Sequence, residues 1–215
     1  MSAALARIRL SPHSRAVQRD LRDATQMHRT LMRLVPDGLG DSPRHTAGLL
    51  YRLDETDTTS TLLVQATTLD PARLPDGYGH TELKDLTPMF AALTKGRPVR
   101  YRITVNPVKT ERLPLDRKGQ RGQRIPLTGE EADQWWTRRA TEAGLELRTL
   151  LPTPLTPAHP RGDQAPRGRH HLVRYDGLAT ITDPQALAHA VLTGIGRAKS
   201  YGAGLLSLAP APAST

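Results

Sequence analysis

Histidine is the side chain that titrates nearest neutral pH, and this 215-residue chain has eight, at positions 13, 28, 45, 80, 159, 170, 171 and 189. It has no cysteine, which excludes disulfides, iron–sulfur clusters and thiolate zinc sites. His170 and His171 are adjacent, so on a strand they point to opposite sides. No H-x-x-x-H pair and no carboxylate cluster at ligand spacing occurs, which argues against a metal centre. The G-x-S-x-G turn of serine hydrolases is also missing. What remains is proton transfer by single imidazoles. His28 stands on the helix whose buried face is read from Met27 and Leu31, near the boundary of that face. A lone histidine there is ordinarily a surface or core-edge residue.

The second chemical signal is Gly194-Ile-Gly-Arg-Ala-Lys-Ser-Tyr-Gly-Ala-Gly204. A dinucleotide fingerprint needs glycine at its sixth position, where Lys199 stands. A P-loop needs glycine directly before Lys-Ser, where Ala198 stands. Both loops precede a helix, whereas this one follows a helix and leads into a strand, so no helix N-terminus receives a phosphate. A nucleotide cofactor is not expected. Arg197 and Lys199 among glycines suit an extended phosphate backbone, or equally an ordinary helix stop with two solvated charges.

Charge favours a polyanionic partner. The formal net charge is +9, from 30 Lys+Arg against 21 Asp+Glu. Residues 96–124 concentrate nine basic residues against two acidic ones. An arginine-rich genome gives the same bias, so charge alone leaves nucleic-acid binding at even odds. The single phenylalanine and two tryptophans offer little for a base-stacking platform. No stretch approaches the roughly 20 apolar residues of a membrane span, and residues 1–10 lack the form of a signal peptide. The expected compartment is the cytoplasm, with no membrane partner.

The elements that position these residues are read from periodicity. Ala6, Ile8 and Leu10 alternate with Arg7 and Arg9 as in a half-buried strand. Met27, Leu31, Leu34 and Val35 fall at helical spacing, stopped by Pro36 and Gly38. Residues 37–46 read as loop, 48–53 and 59–68 as strands, 69–79 as irregular, 86–93 as helix, and 99–105 as a strand with one apolar and one basic face. This is the βαββαβ order of a ferredoxin-like unit. Residues 109–124 read as a mobile loop, and a helix follows from Thr128 to Gly144. Residues 145–151 form a strand, 152–169 a basic proline-rich insertion, and 171–175 and 178–182 a hairpin around Asp176-Gly177. Asp183 and Pro184 open a helix, and 205–208 is a final strand. The expected class is α+β: two tandem ferredoxin-like units, 1–108 carrying the His28 helix and 109–210 carrying the glycine-rich loop, with 211–215 a disordered tail.

Residues 194–210, GIGRAKSYGAGLLSLAP, closely resemble the C-terminal signature of the CasE family, CRISPR repeat-RNA endoribonucleases of the type I-E Cascade complex (RAMP superfamily). Gln26-Met-His-Arg-Thr-Leu-Met-Arg33 resembles that family's first-helix catalytic motif, and Asn106-Pro-Val-Lys109 its central motif. The resemblance spans the chain and implies the tandem ferredoxin-like fold read above.

It also implies metal-independent cleavage of CRISPR precursor RNA at repeat hairpins. The RNA's own 2′-hydroxyl attacks the adjacent phosphate, leaving a 2′,3′-cyclic phosphate and a 5′-hydroxyl. The enzyme then stays on the mature guide RNA beside other Cascade subunits; when free, the chain is expected to be a monomer. No cofactor or metal is implied. His28 becomes the catalytic residue, as general base, general acid or both. A better-known member carries a tyrosine three residues earlier, where this chain has Thr25. Lys199 is a candidate for stabilising phosphate charge. The RNA-binding candidates are Arg29, Arg33, Lys109, Arg161, Arg167, Arg169, Arg197, Lys199 and Ser200. The rival readings are a non-catalytic repeat-RNA-binding subunit, which Thr25 would favour, and a structural ribonucleoprotein component unrelated to CRISPR.

Overall fold

A computed structural model describes residues 2–112, 122–155 and 170–212. The first unit contains β1 (Ala4–Leu10), α1 (Arg15–Arg22), α2 (Ala24–Met32), the short α3 (Pro43–Thr46), β2 (Leu50–Glu55), β3 (Ser60–Ala66), a 3-10 turn at Pro71–Arg73, β4 (Gly79–Asp85) and α4 (Thr87–Ala91). The second contains β5 (Pro98–Val105), the small ribbon β6 (Val108–Thr110) and β7 (Arg124–Pro126), α5 (Gly129–Glu142), β8 (Leu145–Leu147), β9 (Leu151–Pro154), β10 (Val173–Ile181), α6 (Pro184–Thr193), a 3-10 turn at Lys199–Tyr201 and β11 (Leu206–Pro210).

The first sheet has the order β2-β3-β1-β4 and the second β11-β5-β10-β8, with β9 also pairing to β10. In both, the fourth strand of the unit lies beside the first and the third separates first from second, which is the ferredoxin-like arrangement. In the first sheet Ile8, Leu62 and Val64 are buried with Val17, Met27 and Leu31 from α1 and α2. In the second, Tyr101, Ile103 and Tyr175 are buried with Trp136 of α5 and Leu187 of α6. Helices α1 and α2 cover one face of the first sheet and α5 and α6 one face of the second, and apolar burial of this kind is the main drive for the fold.

Six sequence expectations are corrected. The strand at 99–105 does not close the first unit: β5 pairs with β10 and β11 of the second sheet, so the sheet boundary falls before residue 98 rather than at 108. The first sheet is closed instead by β4, Gly-His-Thr-Glu-Leu-Lys-Asp, within or beside the stretch read as irregular. It is an edge strand with no fully buried residue, so it needs no apolar alternation, and Glu82 ties it to Arg7 of β1. Next, α1 stands where a polar stretch was read; it buries only Val17 and Asp20. Asp20 accepts from Tyr78 Oη at 2.9 Å and pairs with Arg19, so the carboxylate is buried with its partners.

Asp176-Gly177 is not a hairpin turn: β10 runs straight through it. A Cβ on Gly177 would lie 2.1 Å from the Thr149 carbonyl oxygen and 2.8 Å from Tyr101 Oη. Glycine is there for close backbone approach, not for a turn. Opposite it the expected strand at 145–151 breaks into β8 and β9, with Arg148 N and Thr149 N both donating to the Leu178 carbonyl. The expected loop at 109–124 is at both ends the ribbon β6–β7; residues 113–121 lie outside the described residues, as do 156–169 of the proline-rich insertion and 213–215 of the tail.

The two units meet along a polar seam. Arg52 of β2 is buried; it pairs with Asp54 and donates to the Arg102 carbonyl at 3.2 Å and to Ser207 Oγ at 2.9 Å. Gln65 Nε2 of β3 donates to the Val191 carbonyl of α6 at 2.8 Å. These bonds hold the first sheet against the second unit and fix where the glycine-rich loop comes down.

Candidate active site

His28 owes its position to α2. Asp23 caps the helix, its side chain accepting from Thr25 N at 2.8 Å. Met27, Thr30 and Leu31 form the buried face, which leaves His28 half-buried at its margin. There it opens on a cavity of about 320 Å³ lined by Met32 and by Ser42, Pro43, Arg44 and His45. Its Nδ1 is buried, with no hydrogen-bond partner among the described residues. A buried unpaired nitrogen is costly and marks a place where a further group is expected. Burial, and then the nearby Arg44 charge, hold the imidazole below its usual pKa, because both disfavour the imidazolium.

The glycine-rich loop reaches the same place. Gly194, Gly196, Gly202 and Gly204 all have positive φ. At Gly204 (φ +91) a Cβ would lie 3.0 Å from the Ile195 carbonyl oxygen, whose own amide donates to Gly204 O at 3.0 Å. The loop is thereby pinched shut at its base. Ala198 is also left-handed, at φ 62, and directly precedes the turn Lys199–Tyr201. That turn packs on α2 and β2, with Tyr51 Oη donating to the Ser200 carbonyl at 2.9 Å. Lys199 Nζ donates to the Thr193 carbonyl at 2.7 Å. Burial and then Arg44 lower its pKa as well.

A second cavity, of about 370 Å³, lies where the two units meet. Arg44, His45, Gln65, Thr67, Thr193 and Lys199 are among its walls. Arg44 and His45 border both cavities, so the structure joins His28 to Lys199 through α3. A cationic pocket with one depressed imidazole can accept a proton and hold a phosphate.

A family model described as CRISPR associated protein matches residues 5–210. The CRISPR system Cascade subunit CasE of Escherichia coli is 31% identical over 193 residues, covering 88% of this chain and 93% of that protein. The chain belongs to the CasE family of CRISPR-associated proteins. The CRISPR-associated endoribonuclease Cse3 of Thermus thermophilus is 29% identical over 221 residues, covering 96% of this chain and 99% of that protein. Among solved structures, Thermus thermophilus Cse3 bound to an RNA representing a pre-cleavage complex superposes with a TM-score of 0.81 at 30% identity, over 98% of this chain and all of that one. A chain of a CRISPR RNA-guided surveillance complex, pre-nicking, gives 0.73 at 41% identity, over 97% of this chain.

The three motifs on which the CasE resemblance rested are placed unequally. His28 and Lys199 line separate cavities that share Arg44 and His45. Thr25 sits in the first turn of α2, half-buried, and lines neither cavity. Arg29 and Arg33 are exposed on or just after the same helix, and Arg197 is exposed in the loop. Ser200 contributes its carbonyl to Tyr51. Lys109 lies on the β6 ribbon and pairs with Glu131 at 2.7 Å. Arg161, Arg167 and Arg169 fall outside the described residues. Asn106 of the central motif is buried, its Nδ2 3.1 Å from His170 Nδ1; the His170 ring lies 4.5 Å from that of Tyr201. The central motif therefore supports the glycine-rich loop from behind.

Sequence reasoning missed Arg44 and His45. They stand in residues 37–46, read as loop, and no spacing relates them to His28 or Lys199. Ser42-Pro43 was the available signal, since proline is favoured in the first turn of a helix. Among the described residues no group of three or more His, Asp or Glu is placed to hold a metal ion, and no helix is long and apolar enough to cross a membrane.

Proposed function

We propose that the chain is an endoribonuclease that cuts CRISPR precursor RNA at its repeat hairpins and remains on the product as a Cascade subunit in the cytoplasm. The observation that carries this reading is His28: a helix-mounted imidazole with a buried, unpartnered nitrogen, facing a cavity walled by cations. The names of the relatives, one an endoribonuclease and one a Cascade subunit, point the same way.

The 2′-oxygen next to the cut forms a bond to phosphorus while the bond from phosphorus to the 5′-oxygen breaks. One proton leaves the 2′-hydroxyl and one reaches the departing oxygen. The products are a 2′,3′-cyclic phosphate and a 5′-hydroxyl, with no water or metal consumed. Because His28 is held below its usual pKa, it is neutral near pH 7 in the free protein. That state suits a general base toward the 2′-hydroxyl. Lys199, fixed by the Thr193 carbonyl, stabilises charge on the phosphate. Thr25 takes the place of a tyrosine in the resemblance and acts at most through position. Arg29, Arg33 and Arg197 with Ser200 line the approach on α2 and the loop; Lys109 adds a basic residue on the β6 ribbon, and Arg161, Arg167 and Arg169, outside the described residues, remain RNA-binding candidates from their charge alone. Recognition then rests on A-form shape and on unpaired bases at the stem end. The two ferredoxin-like units share the work, the first carrying the base and the second the loop.

A non-catalytic RNA-binding role is favoured by one observation, that Thr25 lines neither cavity. The purified protein with repeat hairpin RNA in EDTA separates the two. Cleavage leaving a cyclic phosphate supports the enzyme. Tight binding without cleavage supports the binder.

A further inference from the structure

The cation that joins the two cavities is without a counter-charge. Among the described residues the Arg44 guanidinium has one hydrogen bond, Nη1 donating to the Leu49 carbonyl at 3.2 Å, and no ion pair. It is half-buried, and burial lowers its pKa. Lys199 likewise has only the Thr193 carbonyl. No aspartate or glutamate is among the residues lining either cavity. Arg44 borders both cavities, with His28 on the first and Lys199 on the second, and among the described residues no anion lines either, so the set is incomplete. Desolvated charges are normally paired, and a planar guanidinium matches a phosphate through two parallel bonds.

We infer that Arg44 is a phosphate-contacting residue of the cleavage reaction, its guanidinium holding a non-bridging oxygen of the RNA backbone where the cavity lined by His28 meets the cavity lined by Lys199. The inference rests on the endoribonuclease reading and adds a residue to it. Arg44 sits on a four-residue helix, Pro43–Thr46, anchored at its end by Leu49 N donating to the Arg44 carbonyl at 3.0 Å. The side chain is thus presented from a fixed backbone. In the empty site Arg44 repels protons from His28; once a phosphate sits between them, that charge is neutralised and the imidazolium is stabilised. Substrate binding therefore raises the proton affinity of His28, which strengthens it as the base that takes the 2′-hydroxyl proton. The other charged or titratable groups on α2 and on the elements packed against it are Asp23, Arg29 and Arg33 on and beside the helix, Arg19, Asp20 and Arg22 on α1, Tyr78 against Met27, His45 on α3, and Lys199 and Tyr201 on the turn.

The test compares the native protein with Arg44→Met, which keeps the stem and removes the charge, and Arg44→Lys, which keeps a charge. Single-turnover cleavage of repeat hairpin RNA is followed across pH, and the His28 ring is titrated by NMR with and without inorganic phosphate. Arg44→Met is expected to cut about 100-fold more slowly and to bind 2′-deoxy RNA within about tenfold of native, since other cations carry most of the affinity. Arg44→Lys is expected to recover part of the rate. The His28 limb of the pH–rate profile moves to higher pH in Arg44→Met, because a repelling charge is gone. Phosphate raises the His28 pKa in the native protein and much less in Arg44→Met. Native-like rate with an unmoved pH limb in Arg44→Met, or an unchanged response to phosphate, overturns the inference. If the native protein cuts nothing yet His28 responds to phosphate through Arg44, the phosphate contact stands and the endoribonuclease reading falls.

Discussion

At the scale of single residues, the site is defined by what its groups lack. Among the described residues His28 Nδ1 has no hydrogen-bond partner and Arg44 has no carboxylate. The depressed His28 pKa has a consequence for stability. A histidine whose folded pKa lies below its unfolded value, near 6.5, leaves the unfolded chain binding more protons as pH falls. Its stabilising contribution is complete above about pH 6.5 and is lost as pH drops toward and through the folded value. His170 is depressed as well, by burial and then by Arg124, and acts in the same direction. The melting temperature of the native protein is therefore expected to fall between about pH 7 and about pH 5.5, and to fall less in a His28→Gln, His170→Gln double variant. Equal losses in the two proteins would show that neither histidine is desolvated as described.

At the scale of elements, glycines and buried polar groups do the positioning. Gly177→Ala would drive a methyl into the Thr149 carbonyl and Tyr101 hydroxyl. The expected cost is about 3 kcal/mol of unfolding free energy, read by denaturant melts; a change below about 0.5 kcal/mol, the range of ordinary surface substitutions, would contradict the close approach. The same position shows where sequence reading stops. Asp-Gly carries the chemistry of a tight turn, and only the path of the neighbouring strand reveals that this glycine serves contact instead. Strands β1 and β5 were legible because one face is apolar and the other charged. β4 was not, because an edge strand bound by backbone bonds and one glutamate needs no such pattern. His28 and the loop were legible from local motifs and the CasE resemblance. Arg44 was not, since its tie to His28 and Lys199 comes from how α3 is folded against two distant elements.

At the scale of the whole molecule, the seam between the units and the surface charge carry the account. Arg52 is buried between the sheets and bonded to both. Arg52→Ala is expected to lower stability by about 3 kcal/mol and to slow cleavage, because it loosens the first sheet's hold on the second unit, which carries the loop at 194–204. Unaltered stability would contradict the seam. The net charge of +9 predicts that affinity for the hairpin falls about a hundredfold or more between about 50 mM and about 200 mM salt, measurable by filter binding. The central claim is the pairing of His28 with the RNA's own 2′-hydroxyl, and the most direct measurement is cleavage of repeat hairpin RNA in EDTA by the native protein and by His28→Ala, each with ribose and with a single 2′-deoxyribose at the cut. The account predicts a cyclic phosphate product from native protein on ribose alone, with the other three combinations inactive. Cutting of the 2′-deoxy RNA, or an undiminished rate in His28→Ala, would contradict it.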